Sequence, residues 1–129
     1  MSSIFVFGSN RKGLHGGGAA RVAHEQHGAE WGVGEGRTGN SYALPTKADF
    51  ARTLTIPELS EHVECFLVHA RSNPDDTFML TQVGCGLAGL TKEQVAPLFR
   101  AVPENVQVPR AWHEIVFGKV ILSRISFNI

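Results

Sequence analysis

Two glycine-rich segments each follow a short apolar run, an arrangement that is typical of phosphate-binding loops. The first segment, residues 9–18, follows the apolar residues 4–7, and the second, residues 84–89, follows the mostly apolar residues 77–83. A glycine loop that opens into a helix presents several backbone N–H groups and a partial positive charge of about 0.5. Two such loops at one cleft would bind two linked phosphates. The alternative is that the glycines only allow helices to pack closely on a sheet.

A lysine stands at the end of another predicted strand, where it could act on the same ligand. Lys47 directly follows Pro45 and Thr46, which end the predicted strand over residues 41–45. Such a lysine is a surface charge, a phosphate contact or a nucleophile for the C1 carbon of a sugar. An ammonium group cannot attack carbon, so a nucleophilic Lys47 must first release its proton.

Other motifs that carry chemistry are missing or incomplete. The chain has no GxxxxGK[ST] sequence, and Gly8, Gly13 and Gly16 do not match GxGxxG. His24 and His27 are three residues apart with no evident third ligand, which favours a solvated helix face over a metal site. We therefore expect neither a metal nor a resident cofactor.

The predicted elements alternate between strands and helices. Strands are expected over residues 4–7, 41–45 and 77–83, with one or two more in the β-prone tail over residues 115–129. Helices are expected over residues 17–28 and 57–70 and after Thr91, and residues 32–39 are expected to form a mobile loop. This alternation predicts an α/β fold with a largely parallel or mixed sheet. Ligands of such sheets lie beyond the carboxyl ends of the strands.

Size and composition predict one ordinary globular domain, residues 1–129. Lys+Arg and Asp+Glu each total 12, so the formal net charge of zero gives no basic footprint for sequence-independent DNA binding. The two cysteines cannot form a disulfide framework, which indicates free thiols in a reducing compartment. With no secretory signal and no apolar run long enough to span a membrane, we expect a cytoplasmic protein without a membrane partner.

Three segments, in this order, resemble one protein family. Residues 10–29, and especially His15-Gly-Gly-Gly-Ala-Ala20, are similar to the glycine loop and first helix of macrodomains. Leu44-Pro-Thr-Lys47 resembles the strand end that carries a lysine in one branch of that family. Val83-Gly-Cys-Gly-Leu-Ala-Gly-Leu90 resembles the second phosphate loop of the same branch. That branch contains the terminal ADP-ribose glycohydrolases and the antitoxin macrodomains that remove ADP-ribose from DNA. The resemblance covers about residues 5–102.

The resemblance implies a fold and a site. The fold would be a macrodomain-like three-layer sandwich, in which helices flank a mixed central sheet and the usual first strand is lacking. Lys47 matches the lysine that attacks the anomeric carbon, and Glu35 is the nearest guess for its acid/base partner. The remaining implied contacts to ADP-ribose are Asn10, His15, Gly16, Gly17, Gly18, Ala19, Thr46, Gly84, Cys85, Gly86, Leu87, Ala88, Gly89 and Leu90.

Two departures from the family pattern bear on this expectation. Some members have an acidic residue where this chain has Ala88, and the acidic residue that usually holds adenine has no counterpart. We expect an ADP-ribosyl hydrolase whose partner is ADP-ribose or an ADP-ribosylated substrate, with nucleic acid involved only as a modified substrate. The alternatives are a non-catalytic module that senses or sequesters such a nucleotide, and a different nucleotide-binding fold with residues 8–10 as its phosphate turn.

Overall fold

The computed structural model describes residues 2–118, which form one mixed five-stranded sheet with helices around it. The strands are β1 (Ser3–Asn10), β2 (Gly36–Thr38), β3 (Ser41–Lys47), β4 (Thr77–Leu80) and β5 (Val106–Gln107). The helices are α1 (Gly18–Gln26), α2 (Ile56–Ser72), α3 (Lys92–Val95) and α4 (His113–Phe117), with 3₁₀ helices at Ala96–Phe99 and Arg110–Trp112. The expected α/β class and mixed sheet are confirmed.

The sheet places β1 at its centre. The strand order is β2-β3-β1-β4-β5, in which β3, β1, β4 and β5 are mutually parallel and β2 pairs antiparallel with β3. The carboxyl ends of β1, β3 and β4 therefore meet at one edge of the sheet. Both glycine segments and Lys47 follow these three strands, so the topology brings them to the same edge.

Side chains alternate along β1 and divide the core between the two faces of the sheet. Ile4 and Val6 join the larger buried cluster, which includes the apolar face of α2. Phe7 lies in the smaller cluster on the other face, where α1 packs through Ala20 and Ala23. Helices therefore cover both faces of the sheet, as in an α/β sandwich.

The helix boundaries follow from local sequence signals. Thr55 caps α2 by accepting a hydrogen bond from the backbone N–H of Glu58, whose side chain accepts one from Thr55 in return. Thr91 caps α3 in the same way, with Gln94 as its partner. α1 ends as expected, since Gly28 follows its C-cap with a φ of 77° that glycine adopts without strain.

Several predicted elements are wrong in extent or type. The strand predicted over residues 77–83 ends at Leu80, and the next residue, Thr81, donates both its N–H and its hydroxyl to the carbonyl of Val6. Residues 32–39 include the antiparallel strand β2, and the two-residue strand β5 was not predicted. Residues 115–117 belong to helix α4 and not to a strand, and the rest of the predicted β-prone tail, residues 119–129, lies outside the described residues.

The structure contains no long apolar helix between residues 2 and 118. Specifically, none of the helices described there has the length and hydropathy needed to cross a membrane.

Candidate functional site

A cleft of about 700 Å³ lies at the edge of the sheet where β1, β3 and β4 end. The register of β1 and β3 shifts at this edge: Ser9 pairs with Pro45, whereas Asn10 pairs with Lys47. Thr46 is the extra residue, and its buried side chain donates a hydrogen bond to the carbonyl of Ser9 at 3.2 Å. This bulge positions Lys47 beside the end of β1, so that Asn10 and Lys47 both line the cleft.

The cleft brings together most of the residues that the sequence predicted for the site. The predicted residues that line it are Asn10, Gly16, Gly17, Gly18, Ala19, Thr46, Lys47, Gly84, Gly86, Leu87 and Ala88. The predicted residues that do not line it are His15, Glu35, Cys85, Gly89 and Leu90. Both glycine loops and the lysine thus share one cavity, as expected for parallel strands that end at one edge.

Asn10 and His15 support the first glycine loop through hydrogen bonds and packing. The side-chain amide of Asn10 donates to the carbonyl of Leu14 at 2.9 Å and accepts from the N–H of Leu14 at 3.0 Å. His15 is 1 % exposed, with Nε2 2.9 Å from the carbonyl of Glu30 and its ring edge-on to Phe7. Burial lowers the pKa of His15, because a charged imidazole would lose its hydration there. His15 therefore supports the loop and does not face the cleft.

Helix α1 starts at the cleft without a side-chain cap. Its N-cap is Gly17, which has extended backbone and no side chain that could accept from the N–H groups of the first turn. Gly18 follows with a φ of 58°, a left-handed conformation that glycine tolerates best. These N–H groups and the positive end of the helix dipole are suited to an anionic ligand in the cleft.

The second loop faces the first across the cleft. Leu87 approaches the first loop, since a Cβ atom placed on Gly17 or Gly18 would lie 3.3 Å from Leu87 Cδ1. The loop closes on itself through the N–H of Leu90, which donates to the carbonyl of Gly84 at 2.8 Å. It is also tied to the segment after Lys47, because the Thr53 hydroxyl donates to the carbonyl of Ala88 at 2.7 Å.

Cys85, which was expected to contact the ligand, does not line the cleft. It is half-buried and packs against the larger core cluster. Burial raises the pKa of its thiol, which keeps the sulfur protonated and weakens it as a nucleophile.

Lys47 is the only ionisable side chain among the cleft-lining residues of the described chain. Its Nζ donates a hydrogen bond to the carbonyl of Phe50 at 2.6 Å. An ammonium group has three donors, so this bond leaves the amine able to contact a ligand as well.

Glu35, the guessed acid/base partner of Lys47, lies elsewhere. Its carboxylate is 2.7 Å from Nδ1 of His62, and Nε2 of the same imidazole accepts a hydrogen bond from Arg11 at 3.2 Å. The neighbouring Gly34 fits tightly against the first loop, since a Cβ there would overlap the carbonyl oxygens of Asn10 and Arg11. Gly34 therefore packs against the end of β1, and Glu35 lies outside the cleft lining.

Several lining residues were not predicted from the sequence. Trp31 and Phe50 are large and exposed, yet they stand in segments that have no periodic pattern. An aromatic residue in a glycine-rich or polar loop is the signal that could have identified them. Thr81 and Gln82 also line the cleft, because β4 ends at Leu80 and these two residues belong to the loop that follows it.

The described part of the chain contains no candidate metal site. Between residues 2 and 118, no three His, Cys, Asp or Glu side chains are grouped so that they could hold an ion.

Comparisons with known proteins gave no relative. No family model matches the chain, and no curated protein or solved structure matches it either.

Proposed function

We propose that this protein binds ADP-ribose, or a related NAD-derived nucleotide, in the cleft and hydrolyses an ADP-ribosyl linkage with Lys47. The observation that carries the proposal is the position of two glycine loops across one cleft, with Lys47 as the only ionisable lining side chain between residues 2 and 118. The resemblance of both loops and of Leu44-Pro-Thr-Lys47 to macrodomain motifs supports the same ligand.

The cleft has the size and the donors that a dinucleotide-like ligand requires. Its volume of about 700 Å³ lies within the range of roughly 300–1,000 Å³ that is usual for small-molecule sites. Backbone N–H groups of the two loops would bind the diphosphate without an arginine. Each hydrogen bond to a charged group contributes about 1.5–3 kcal/mol, so a few of them suffice for micromolar binding.

The proposed reaction begins at Nζ of neutral Lys47. This nitrogen attacks the anomeric carbon of the distal ribose, forming a C–N bond as the bond to the leaving group breaks. The leaving group departs with the electron pair, and the nitrogen gives its proton to water. The ribose ring of this adduct then opens to a lysine imine, as the ring oxygen takes up the remaining proton of the nitrogen. A second water molecule adds to the imine carbon, and departure of the amine releases ADP-ribose and regenerates Lys47.

The lining residues favour a leaving group that needs no proton. No carboxyl or imidazole group is among the cleft-lining residues of the described chain, so a general acid is missing there. A carboxylate leaves readily as an anion, whereas an alkoxide does not. Esters between ADP-ribose and acidic side chains are therefore better substrates for this arrangement than serine ethers.

A binding module without turnover is the second candidate. The hydrogen bond from Lys47 Nζ to the carbonyl of Phe50 favours it, because that bond engages the nitrogen that would otherwise attack the sugar. In this case Lys47 acts only as a positive charge beside the diphosphate.

Calorimetry with free ADP-ribose tests binding, and a lysine substitution then separates the two candidates. We expect a Kd in the micromolar range, which corresponds to about −8 kcal/mol. For an enzyme, Lys47→Ala abolishes ADP-ribose release but retains much of the binding, and Lys47→Arg, which keeps the charge, is equally inactive. Borohydride traps a covalent sugar adduct on the parent protein only.

The outcomes against each candidate are distinct. Absence of heat and of a thermal shift at millimolar ADP-ribose overturns the proposed binding. Binding without turnover or adduct, together with a loss of about 1–2 kcal/mol in Lys47→Ala, overturns the enzyme and leaves the binding module.

A further inference from the structure

Exposed apolar side chains are concentrated at the cleft. Half of the large apolar side chains that are exposed between residues 2 and 118 line it, namely Leu14, Trp31, Phe50 and Leu87. Their exposed fractions range from 39 % for Leu14 to 77 % for Phe50. Phosphate and ribose groups are polar and make few apolar contacts with such side chains. A ligand that used them would carry an additional flat, apolar group.

Trp31 combines exposure with a fixed orientation. It is 54 % exposed, and its ring meets the rings of His15 and His24 edge-on at centroid distances of 6.0 and 5.6 Å. Both histidines are themselves held by backbone carbonyls, since His15 Nε2 lies 2.9 Å from Glu30 O and His24 Nδ1 lies 2.7 Å from Ala29 O. A ring held in this way loses little conformational freedom when a second ring stacks on it.

We propose that Trp31 is a stacking platform for a planar aromatic base of the ligand. The inference rests on the proposed function, and it adds a specificity-determining residue to the phosphate-binding loops and Lys47. The base has two sources: the adenine of ADP-ribose, or a base attached to C1 of the distal ribose. Both present the same flat π-face, and aromatic stacking tolerates any base.

The tryptophan content makes the stacking directly measurable. The chain has two tryptophans, and the second, Trp112, is fully buried among core residues. A stacked base quenches the emission of Trp31 and leaves that of Trp112 unchanged. ADP-ribose offers adenine alone, whereas nicotinamide mononucleotide offers a base on C1 of a phosphorylated ribose without adenine. Quenching by one of them identifies which base is stacked.

Two substitutions supply the controls. Trp31→Phe retains an aromatic ring but removes the fluorophore, so its ligand affinity stays close to that of the parent while the quenching disappears. Trp31→Ala weakens binding of the quenching ligand about tenfold, whereas binding of inorganic diphosphate, which carries no base, is unchanged. The side chain is half exposed, so both variants are expected to fold, which thermal melting verifies.

The results separate failure of this inference from failure of the proposed function. If ADP-ribose binds by calorimetry but neither nucleotide quenches Trp31 and Trp31→Ala binds as the parent does, the stacking platform is wrong and the phosphate-binding cleft stands. If neither ADP-ribose nor diphosphate binds, both proposals are overturned.

Discussion

Replacing Gly86 with valine is expected to block the ligand while the protein stays folded. A Cβ atom at Gly86 meets no atom within 4 Å, and Gly86 is not among the glycines with positive φ. A Cβ atom at this position therefore has open space and an unstrained backbone, and we expect the free energy of unfolding of Gly86→Val to change by no more than about 0.5 kcal/mol. Gly86 lines the cleft, so the same side chain occupies space that the ligand needs.

The effect of Gly86→Val on binding depends on the hydrogen bonds that a phosphate would lose. Displacing the ligand from one backbone N–H forfeits a charge-assisted bond of about 1.5–3 kcal/mol. Since about 1.4 kcal/mol corresponds to tenfold in Kd, Gly86→Val should weaken ADP-ribose binding by roughly 10- to 150-fold.

Calorimetry with ADP-ribose, run beside thermal melting, checks both parts of this expectation. Gly86→Ala is the matched control, because one methyl group intrudes less and should weaken binding only slightly. Gly84 is unsuitable for the same experiment, since its φ of 80° makes any side chain strained. If Gly86→Val melts with the parent and binds ADP-ribose as tightly, the second loop does not contact the ligand.

Two further predictions concern stability. Gly34→Ala should lower the free energy of unfolding by more than about 1 kcal/mol, because its Cβ would overlap the carbonyl oxygens of Asn10 and Arg11; urea denaturation that gave the parent midpoint would contradict this packing. Burial lowers the pKa of His15 in the folded state, so the unfolded chain binds the proton first as pH falls. The free energy of unfolding should therefore decrease as the pH falls below about 6.5. In urea titrations between pH 7 and 5, His15→Gln should make this dependence on pH less steep. An unchanged dependence on pH would show that His15 contributes nothing to it.

The central sheet and the shared position of the two loops followed from local patterns. Ile4 to Phe7 and the residues before Gly84 read as buried strands, and parallel strands place their following loops at one edge. Lys47 was located by the same reasoning, because it ends β3. The apolar pattern and the order of the elements along the chain were enough to predict these positions, without knowledge of tertiary contacts.

The remaining features depend on contacts between segments that are distant in sequence. Glu35 was guessed to serve Lys47, but its nearest partner is His62, which helix α2 brings to it from 27 residues away. The strand β5 has two residues, which are too few to show the alternation of apolar and polar residues that predicts a strand. Residues 115–117 have β-branched and aromatic side chains, yet they form helix α4, because packing of Val116 into the core outweighs local propensity.

The contacts of α1 make it a weakly anchored helix. Its buried side chains are Ala20 and Ala23, whereas its larger apolar residue Val22 faces solvent. Two buried methyl groups contribute only about 1–2 kcal/mol. The other side-chain contacts of the helix include that of His24 with Trp31 and, just beyond its end, the stacking of His27 on Phe5. The helix should consequently detach from the sheet in local opening events that leave the larger core intact. An anion bound at Gly17 and Gly18 would suppress these events, and its affinity would be reduced by the free energy of keeping α1 docked.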